Sequence, residues 1–555
     1  MFEIPRQLLF AAFGAVLTLW LSAGATRAAE RLVVHEWGTF TALQDETGKS
    51  LGAINVDDEP LPKFVHNLHP YVLGRPQSAY RHDQKGAPPR HPLVRLRLET
   101  PVVYFYPPKD AKLPLVLDVH VDFRGGWLTE FYPNAKADAP GLKRGDFRFG
   151  PLTPKTVGSL EWKGLQVGTR ATGPATSEHV WTAPRATDAV TVTSMEGESE
   201  NYLFYRGVGN FESPLSVAHD VANKTLKLRA NFREVLLPPG NATIGPLWLV
   251  EVRKDGGCAF RTLDNIEADE EPEKLLGTAS SAFSDTDYSP TNLKLLADSM
   301  QPALVAAGLY PKEAAAMLET WRTAYFKTPG LRLFYIVPRS WTDYYLPLRI
   351  SQPAKIERVL VGRLELISNE QRQTLKELRT TPLSDLRWLE KAYESKNAER
   401  FIAGRSDFGD LGVEIPRDFQ LYLDLGRFRN ALVLHEDARR PSVMLGQFIE
   451  AYGLESFRWE QRGEVRQSTG EWKIDFANGV SQVCRVREDG TATIAESQRI
   501  SLGKAVVHDG SVVIVYEDDR IERWTPVGDR RVVEHWFPGS QFPTATPVFG
   551  IAERL

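Results

Sequence analysis

The sequence predicts a mainly β protein with α-helical insertions. Aromatic residues are abundant, with 13 Trp, 17 Tyr and 27 Phe in 555 residues, and many of them lie in short alternating runs. Aromatic and β-branched side chains suit a pleated, half-buried surface. Asn-Gly and Asp-Gly dipeptides separate such runs near the C-terminus. We therefore expect a large antiparallel β-sandwich, a helical segment and a C-terminal antiparallel β-meander or small barrel.

Residues 1–29 are predicted to be a signal peptide. Arg6 precedes an apolar run over 8–21, and small residues follow as far as Ala29. This order is typical of secretory signals. The small residues favour cleavage over an uncleaved anchor, although the apolar stretch 8–25 is nearly long enough to span a bilayer. No later run approaches transmembrane length, so we expect a secreted or periplasmic protein with no other membrane span.

Residues 30–264 are predicted to form the β-sandwich domain. The run 115–123 alternates apolar and polar residues, which indicates a strand with one buried face, and Gly125-Gly126 supplies a turn after it. Further strand-like runs follow without an intervening helix, a pattern typical of antiparallel sandwiches. The strand-like runs within 331–366 come after a helical excursion, and they could complete the sheets of this first domain.

Residues 265–330 are predicted to be an acidic linker followed by a helical insertion. The acidic run 264–273 has the composition of a solvated linker. Pro311 stands at a first-turn position, and Gly330 follows the end of the helix that it opens. Residues 367–457 are predicted to be a helical region, with helices over 421–434 and 443–452.

Residues 458–555 are predicted to form the β-meander domain. Asn478-Gly479, Asp489-Gly490 and Asp509-Gly510 separate alternating runs. Such dipeptides between strands are the strongest local signal for hairpins. They indicate an up-and-down antiparallel sheet or a small barrel.

The net charge and the cysteine content of the chain argue against several classes of function. A formal net charge of −4 gives no general attraction to nucleic acid, so we expect no nucleic-acid partner. The two cysteines, Cys258 and Cys484, form no C-x-x-C motif, and we expect separate buried thiols. Nucleophile-elbow, phosphate-loop and dinucleotide motifs do not occur in the sequence.

Residues 33–70 hold the densest group of side chains that could carry chemistry. Histidine and carboxylate ligands in this stretch could assemble a site for zinc or another divalent metal. The spacing does not match a helical H-E-x-x-H motif, and neighbours on a strand point to opposite faces. The candidate metal ligands are His35, Asp57, His66 and His69. The candidate catalytic carboxylates are Glu36, Asp58 and Glu59.

A second group of side chains could bind a ligand without reacting with it. The stretch 75–97 is rich in arginine, which suits an anionic ligand, although a solvated loop is the commoner explanation. Aromatic side chains could stack on a sugar. The candidate ligand-binding residues are Arg75, Arg81, Trp37 and Tyr104.

Two functions are consistent with these residues. The first is extracytoplasmic binding or scaffolding, with a carbohydrate or a protein surface as the ligand. The alternative is a secreted hydrolase, with or without a metal, whose His/carboxylate site lies in residues 35–69. Convergence of the candidate side chains in one pocket would favour the hydrolase, and scatter over separate turns would favour the binding protein.

Overall fold

A computed structural model describes most of the chain. The described residues are 31–56, 61–68, 91–141, 152–220, 222–231, 242–268, 275–322, 325–388, 391, 414–452, 454, 465, 467–487, 490–496, 499–508, 511–540 and 545–555. The predicted signal peptide and six of the candidate site residues lie outside them. These six are Asp57, Asp58, Glu59, His69, Arg75 and Arg81. None of the helices in the described ranges has the length and apolar character needed to cross a membrane.

The predicted fold class is confirmed, because strands dominate and helices are inserted between them. The strands before the first long helix are β1 (Leu32–Gln44), β2 (His66–Asn67), β3 (Leu96–Leu98), β4 (Val102–Tyr106), β5 (Leu115–Arg124), β6 (Gly126–Tyr132), β7 (Lys136–Asp138), β8 (Val157–Val167), β9 (Val192–Thr193), β10 (Ser199–Glu200), β11 (Leu203–Gly209), β12 (Leu215–Asp220), β13 (Thr225–Ala230), β14 (Ala242–Ile244), β15 (Leu247–Val252), β16 (Cys258–Leu263), β17 (Ile266–Ala268) and β18 (Leu275–Ser280). Three more strands follow, β19 (Gly330–Ile336), β20 (Leu348–Ile350) and β21 (Ala354–Leu366).

One large sheet organises this part of the molecule. Within the described residues it has sixteen strands, and its main path runs β10-β9-β8-β6-β11-β3-β1-β21-β19-β15-β16. The strands β19 and β21 therefore lie in the same sheet as β1. The segment predicted to be a linker contains β17, which pairs with β14 and buries Ile266. The strand β17 is only three residues long and lies in an acidic run, so the sequence did not indicate it.

One long strand pair within the sheet is parallel, whereas the sequence predicted antiparallel pairing. Strand β1 pairs with β21 in parallel along its whole length, from Leu32 opposite Ala354 to Gln44 opposite Leu366. On its other edge β1 pairs antiparallel with β3 and β4. The sheet is thus mixed. Alternation along one strand shows which face is buried, but it does not show the partner strand or its direction.

Helices are inserted after β8 and after β18, and they continue to the C-terminal unit. They are α1 (His179–Thr182), α2 (Asn292–Ala306), α3 (Pro311–Thr320), α4 (Arg339–Tyr345), α5 (Asn369–Leu378), α6 (Arg417–Asp424), α7 (Arg429–Arg439) and α8 (Val443–Ala451). The segment 421–434, predicted as one helix, is divided between α6 and α7. Gly426 lies between them with φ +80°, a conformation that glycine adopts readily and that ends a helix.

Both faces of the large sheet are covered. On one face α2 and α3 pack over a layer that includes Trp37, Trp248 and Phe334, all nearly or fully buried. On the opposite face Phe40 packs against Trp341 of α4, with ring centroids 5.0 Å apart. Because alternate residues of β1 face opposite layers, His35 shares the first face with Trp37, and Glu36 lies on the other.

The C-terminal unit is a closed antiparallel barrel, as the hairpin signals predicted. Its strands are β22 (Gly470–Phe476), β23 (Ser481–Val486), β24 (Thr491–Glu496), β25 (Arg499–His508), β26 (Ser511–Tyr516), β27 (Ile521–Val527), β28 (Arg530–Trp536) and β29 (Val548–Arg554). Pairing of β22 with β29 closes it. Cys484 is buried here and Cys258 is buried in β16, and both thiols are free. Burial raises the pKa of Cys258 to about 11, which makes it a poor nucleophile.

Candidate functional site

His35 is part of a closed hydrogen-bond network on the first face of the sheet. Its Nδ1 lies 2.7 Å from Oε2 of Glu313 on α3. The Tyr106 hydroxyl donates to Oε1 of the same carboxylate at 2.8 Å, and the backbone N–H of Tyr310 donates to Oε2 at 2.7 Å. The His35 residue is 2% exposed and Glu313 is 0% exposed. The carboxylate therefore joins β1, β4 and the first turn of α3.

Glu36 is enclosed on the opposite face by a separate set of partners. Arg358 of β21 and the Tyr205 hydroxyl of β11 both donate to its carboxylate. Arg358 also donates to Asp343 of α4 at 3.0 Å. Burial alone would lower the pKa of Arg358, but the charge of Glu36 outweighs burial and raises it. The pair is a fully buried ion pair.

His35 and His66 lie far apart in the sheet. His35 is opposite Tyr104 on β4, and the strands β4, β11, β6 and β2 then follow in order across the sheet to His66. Four strand spacings correspond to about 19 Å along the sheet, much more than the span of one metal site.

The metal site predicted over residues 35–69 is therefore not assembled from His35 and His66. Among the described residues, no group of three or more His, Cys, Asp or Glu side chains could hold a metal ion. Asp57 and His69 lie outside this part of the chain, as do the carboxylates Asp58 and Glu59. The prediction of a zinc or other divalent metal stays a prediction.

The two aromatic residues predicted to bind a ligand are inside the protein. Trp37 and Tyr104 are each 0% exposed, and the Tyr104 hydroxyl donates to the carbonyl oxygen of Pro184 at 2.7 Å. Their rings belong to the layer beneath α1 and α3 and present no surface to solvent. Arg75 and Arg81 lie outside the described residues.

His66 differs from His35 because it is partly exposed. Its Nε2 lies 2.7 Å from Oε1 and 3.0 Å from Oε2 of Glu198, in the turn between β9 and β10. The backbone N–H of Asn134 donates to Glu198 at 2.6 Å. The His66 side chain is 17% exposed and that of Glu198 is 29% exposed. These two groups can reach a ligand from solvent.

Aromatic rings pack against the pair formed by His66 and Glu198. The His66 ring stacks on Tyr132, with centroids 6.1 Å apart and planes 8° from parallel. Phe64 contacts Tyr132 and Trp181, with centroids 5.1 Å away in both contacts. We call this surface, formed by Phe64, His66, Tyr132, Trp181 and Glu198, the His66 ledge. Packing of this kind restricts the rotamers of the two polar groups.

The buried carboxylate of Glu200 fixes the ring of Trp181, which belongs to the His66 ledge. Glu200 is 1% exposed and accepts from Trp181 Nε1 at 2.7 Å. Arg185 donates to the same carboxylate through Nη2 at 2.6 Å and Nε at 3.0 Å. Burial alone would lower the pKa of Arg185, but the hydrogen bond and charge of Glu200 raise it. The arginine side chain is 25% exposed, so it adds a cation to the edge of the ledge.

The partners of the candidate histidines had no recognisable signal in the sequence. Glu198 is 132 residues from His66, and Glu313 is 278 residues from His35. Glu198 lies in an ordinary turn next to Gly197, and Glu313 lies in the first turn of a predicted helix. Only the sheet pairing and the packing of α3 bring these carboxylates to the histidines.

Acid should weaken the contact between His66 and Glu198. Burial alone would raise the pKa of Glu198, but hydrogen bonds from His66 and Asn134 and the charge of His66 lower it below 4.5. A carboxyl with a lowered pKa stabilises the fold above its ordinary pKa, and this is lost as pH falls through the lowered value. We expect Glu198→Gln to reduce the loss of stability between pH 5 and pH 3, measured by thermal unfolding. An unchanged pH profile would contradict this assignment.

Comparisons with known proteins assign no family to the chain. No protein-family model matches it, and no curated protein matches it either.

Proposed function

We propose that this protein binds an extracytoplasmic ligand, a carbohydrate or a protein surface, and that the His66 ledge is the contact surface. The observation that carries the proposal is the difference in exposure between the two histidine–carboxylate pairs. His35 and Glu313 are closed off from solvent, whereas His66 and Glu198 are open to it and held in place. Of these two ligands, we favour a carbohydrate.

The chemistry of the His66 ledge suits sugar hydroxyl groups. Glu198 supplies acceptor oxygens, and the exposed edge of Arg185 supplies donors. Phe64 is partly exposed beside them and offers an apolar ring against which a sugar face could pack. Polar groups that are fixed before binding lose little conformational entropy when the ligand arrives.

The location outside the cytoplasm rests on the predicted signal peptide. Residues 1–29 have the charged, apolar and small-residue order of a secretory signal. Carbohydrates and protein surfaces are both accessible to a secreted or periplasmic protein.

A hydrolase remains the second candidate, for one specific reason. A carboxylate holds one ring nitrogen of the partly exposed His66, and this arrangement orients an imidazole for general-base catalysis. The hydrolase would use His66 as the base and Glu198 as the positioning residue. It does not require Glu36, which is enclosed by Arg358 and Tyr205.

A glycan array followed by calorimetric titration tests the proposal. The mature chain, residues 30–555, is applied to neutral and acidic oligosaccharides. We expect Glu198→Gln to weaken binding about tenfold, or about 1.4 kcal/mol, because the amide disturbs the contact with His66 and replaces an acceptor. Shortening of a bound oligosaccharide by the wild type but not by His66→Gln would instead support the hydrolase.

The chain offers a matched control on another strand. His120 and Asp122 of β5 form a partly exposed pair at 2.7 Å, with no aromatic ledge described beneath it. Asp122→Asn should bind like the wild type. Equal weakening by Asp122→Asn and Glu198→Gln, or a folded protein that binds neither glycans nor protein ligands, would contradict the proposal.

A further inference from the structure

The outer wall of the C-terminal barrel carries many of the large apolar side chains that are exposed. Among the described residues, nine of the sixteen such side chains lie between positions 480 and 555. Ile500 is 71% exposed, Leu502 is 43% exposed and Val483 is 38% exposed. A soluble monomer rarely leaves a group of neighbouring apolar side chains uncovered, and such a group commonly marks a contact with another molecule.

Strand pairing places these apolar side chains next to one another. Val483 of β23 is opposite Ala495 of β24, and Ala495 is opposite Ile500 of β25. Thr493 of β24 is opposite Leu502 of β25. Residues that pair across neighbouring strands point to the same face of a sheet. We call this surface, formed by Val483, Thr493, Ala495, Ile500 and Leu502, the barrel patch.

The wall beside the barrel patch is already covered by the chain itself. Val513 of β26 points outwards, because its neighbours Val512 and Ile514 belong to the barrel core, yet it is 0% exposed. Lys504 of β25 lies against Gly446 of α8, where an added Cβ would be 2.1 Å from its Nζ. The helix α7 also contacts β25. The barrel patch is therefore continuous with a part of the wall that serves as a packing surface.

Charged side chains border the barrel patch in a regular order. Lys473 of β22 is opposite Val483, and Glu471 of β22 is opposite Arg485 of β23. These three charged side chains are each about half exposed. The outward residues of four strands thus form two neighbouring rows. One row is Lys473, Val483, Ala495 and Ile500, and the other is Glu471, Arg485, Thr493 and Leu502.

The two rows are complementary to each other. A second copy that packs face to face, with a two-fold axis perpendicular to the strands, places each row against the other row of its partner. Lys473 then faces Glu471 of the second copy, and Ile500 faces Leu502 of the second copy. Opposite charges meet, and apolar side chains meet. A two-fold axis parallel to the strands would place Lys473 against Ile500 instead, which removes water from a charge without supplying a partner.

We propose that the barrel patch is the contact surface between two copies of this chain, with the strands of the two patches antiparallel. Arg485 faces Val483 in this arrangement, and the stem of an arginine covers apolar surface well. The barrel wall is convex, so the contact is confined to the two rows. We therefore expect a reversible dimer and not an obligate one. The barrel patch is separate from the His66 ledge, so its test does not depend on ligand binding.

Sedimentation velocity of the mature chain, residues 30–555, tests the proposal. We expect an equilibrium between monomer and dimer at concentrations between about 1 μM and 1 mM. Ile500→Asp introduces a charge into the apolar contact and should weaken the dimer at least about tenfold. Circular dichroism verifies that the variant is folded. A chain that stays monomeric over this range, or a dimer that Ile500→Asp leaves unchanged, would overturn the proposal.

Val527 provides the matched control for this substitution. It is 58% exposed on β27, which lies halfway around the closed strand order from β23. Val527→Asp makes the same kind of change on the far side of the barrel and should leave the dimer affinity unchanged. Equal weakening by Val527→Asp and Ile500→Asp would contradict a contact at the barrel patch.

Charge reversal distinguishes a second copy from any other partner. Lys473→Glu alone and Glu471→Lys alone each place like charges opposite one another, and symmetry changes two contacts at once. Each variant should therefore weaken its own dimer about tenfold. An equal mixture of the two variants should associate like the wild type, because both pairs of opposite charges are restored. A mixture that associates no better than either variant alone would overturn the two-fold arrangement.

Discussion

Replacing Arg358 by methionine is expected to lower the free energy of unfolding by about 3–5 kcal/mol. Glu36 is 0% exposed, and Arg358 is the cation that compensates its charge. Removing one partner of a buried ion pair leaves the other charge in a medium that solvates it poorly. The loss should appear as a lower midpoint of urea-induced unfolding, followed by the circular dichroism of the large sheet.

Two further variants distinguish the loss of the Glu36–Arg358 ion pair from a general loss of stability. The double variant Glu36→Gln with Arg358→Met should recover much of the lost stability, because no unpaired buried charge remains. Asp343→Asn should cost less than about 1 kcal/mol, since the Asp343 side chain is 48% exposed where it contacts Arg358. A loss below about 1 kcal/mol for Arg358→Met would show that Glu36 is not held as an ion.

Glu313→Ala is expected to lower the free energy of unfolding by about 3 kcal/mol or more. Each buried hydrogen-bond donor that is left without an acceptor costs about 1–3 kcal/mol. The carboxylate contacts His35, Tyr106 and the backbone N–H of Tyr310, the residue immediately before α3. Without it, these groups lose their acceptor inside the protein. The measurement is again the unfolding midpoint, with ligand binding measured on the folded fraction.

Glu313→Gln is the matched control because it keeps an acceptor oxygen at the same position. It should preserve the start of α3 and cost less than the alanine substitution. Burial and the charge of Glu313 also hold the pKa of Tyr106 well above its usual range. If Glu313→Ala left stability intact but abolished ligand binding, the buried His35 pair would be functional and not structural.

Local features of the fold could be predicted from the sequence. Asn478-Gly479 marks the hairpin between β22 and β23, where Gly479 adopts φ +86°. The alternation over 115–123 corresponds to β5, which buries one face. Pro311 begins α3 as expected. All these features depend on residues close together in the chain, where spacing and turn chemistry determine the conformation.

Non-local features could not be predicted. No local pattern indicates that β1 pairs with β21, or that β29 closes the barrel against β22. In the candidate site, too, local features could be predicted from the sequence and non-local contacts could not. The sequence singled out His35 and His66 as candidate metal ligands, but it did not indicate that Glu313 and Glu198 are their partners. Opposite orientation of His35 and Glu36 followed from strand geometry alone, and each side chain does lie in its own network.

The parallel pairing of β1 with β21 affects the order in which the chain can fold. A nascent polypeptide emerges with β1 first, and the partner of that strand is completed only at Leu366. Contacts across more than 300 residues give the sheet a high contact order, and closing so long a loop slows folding. A fragment ending at residue 264 would leave one edge of β1 unpaired and open to strands of other molecules. We therefore expect a fragment ending at residue 264 to be less stable than the full chain, because it lacks β21.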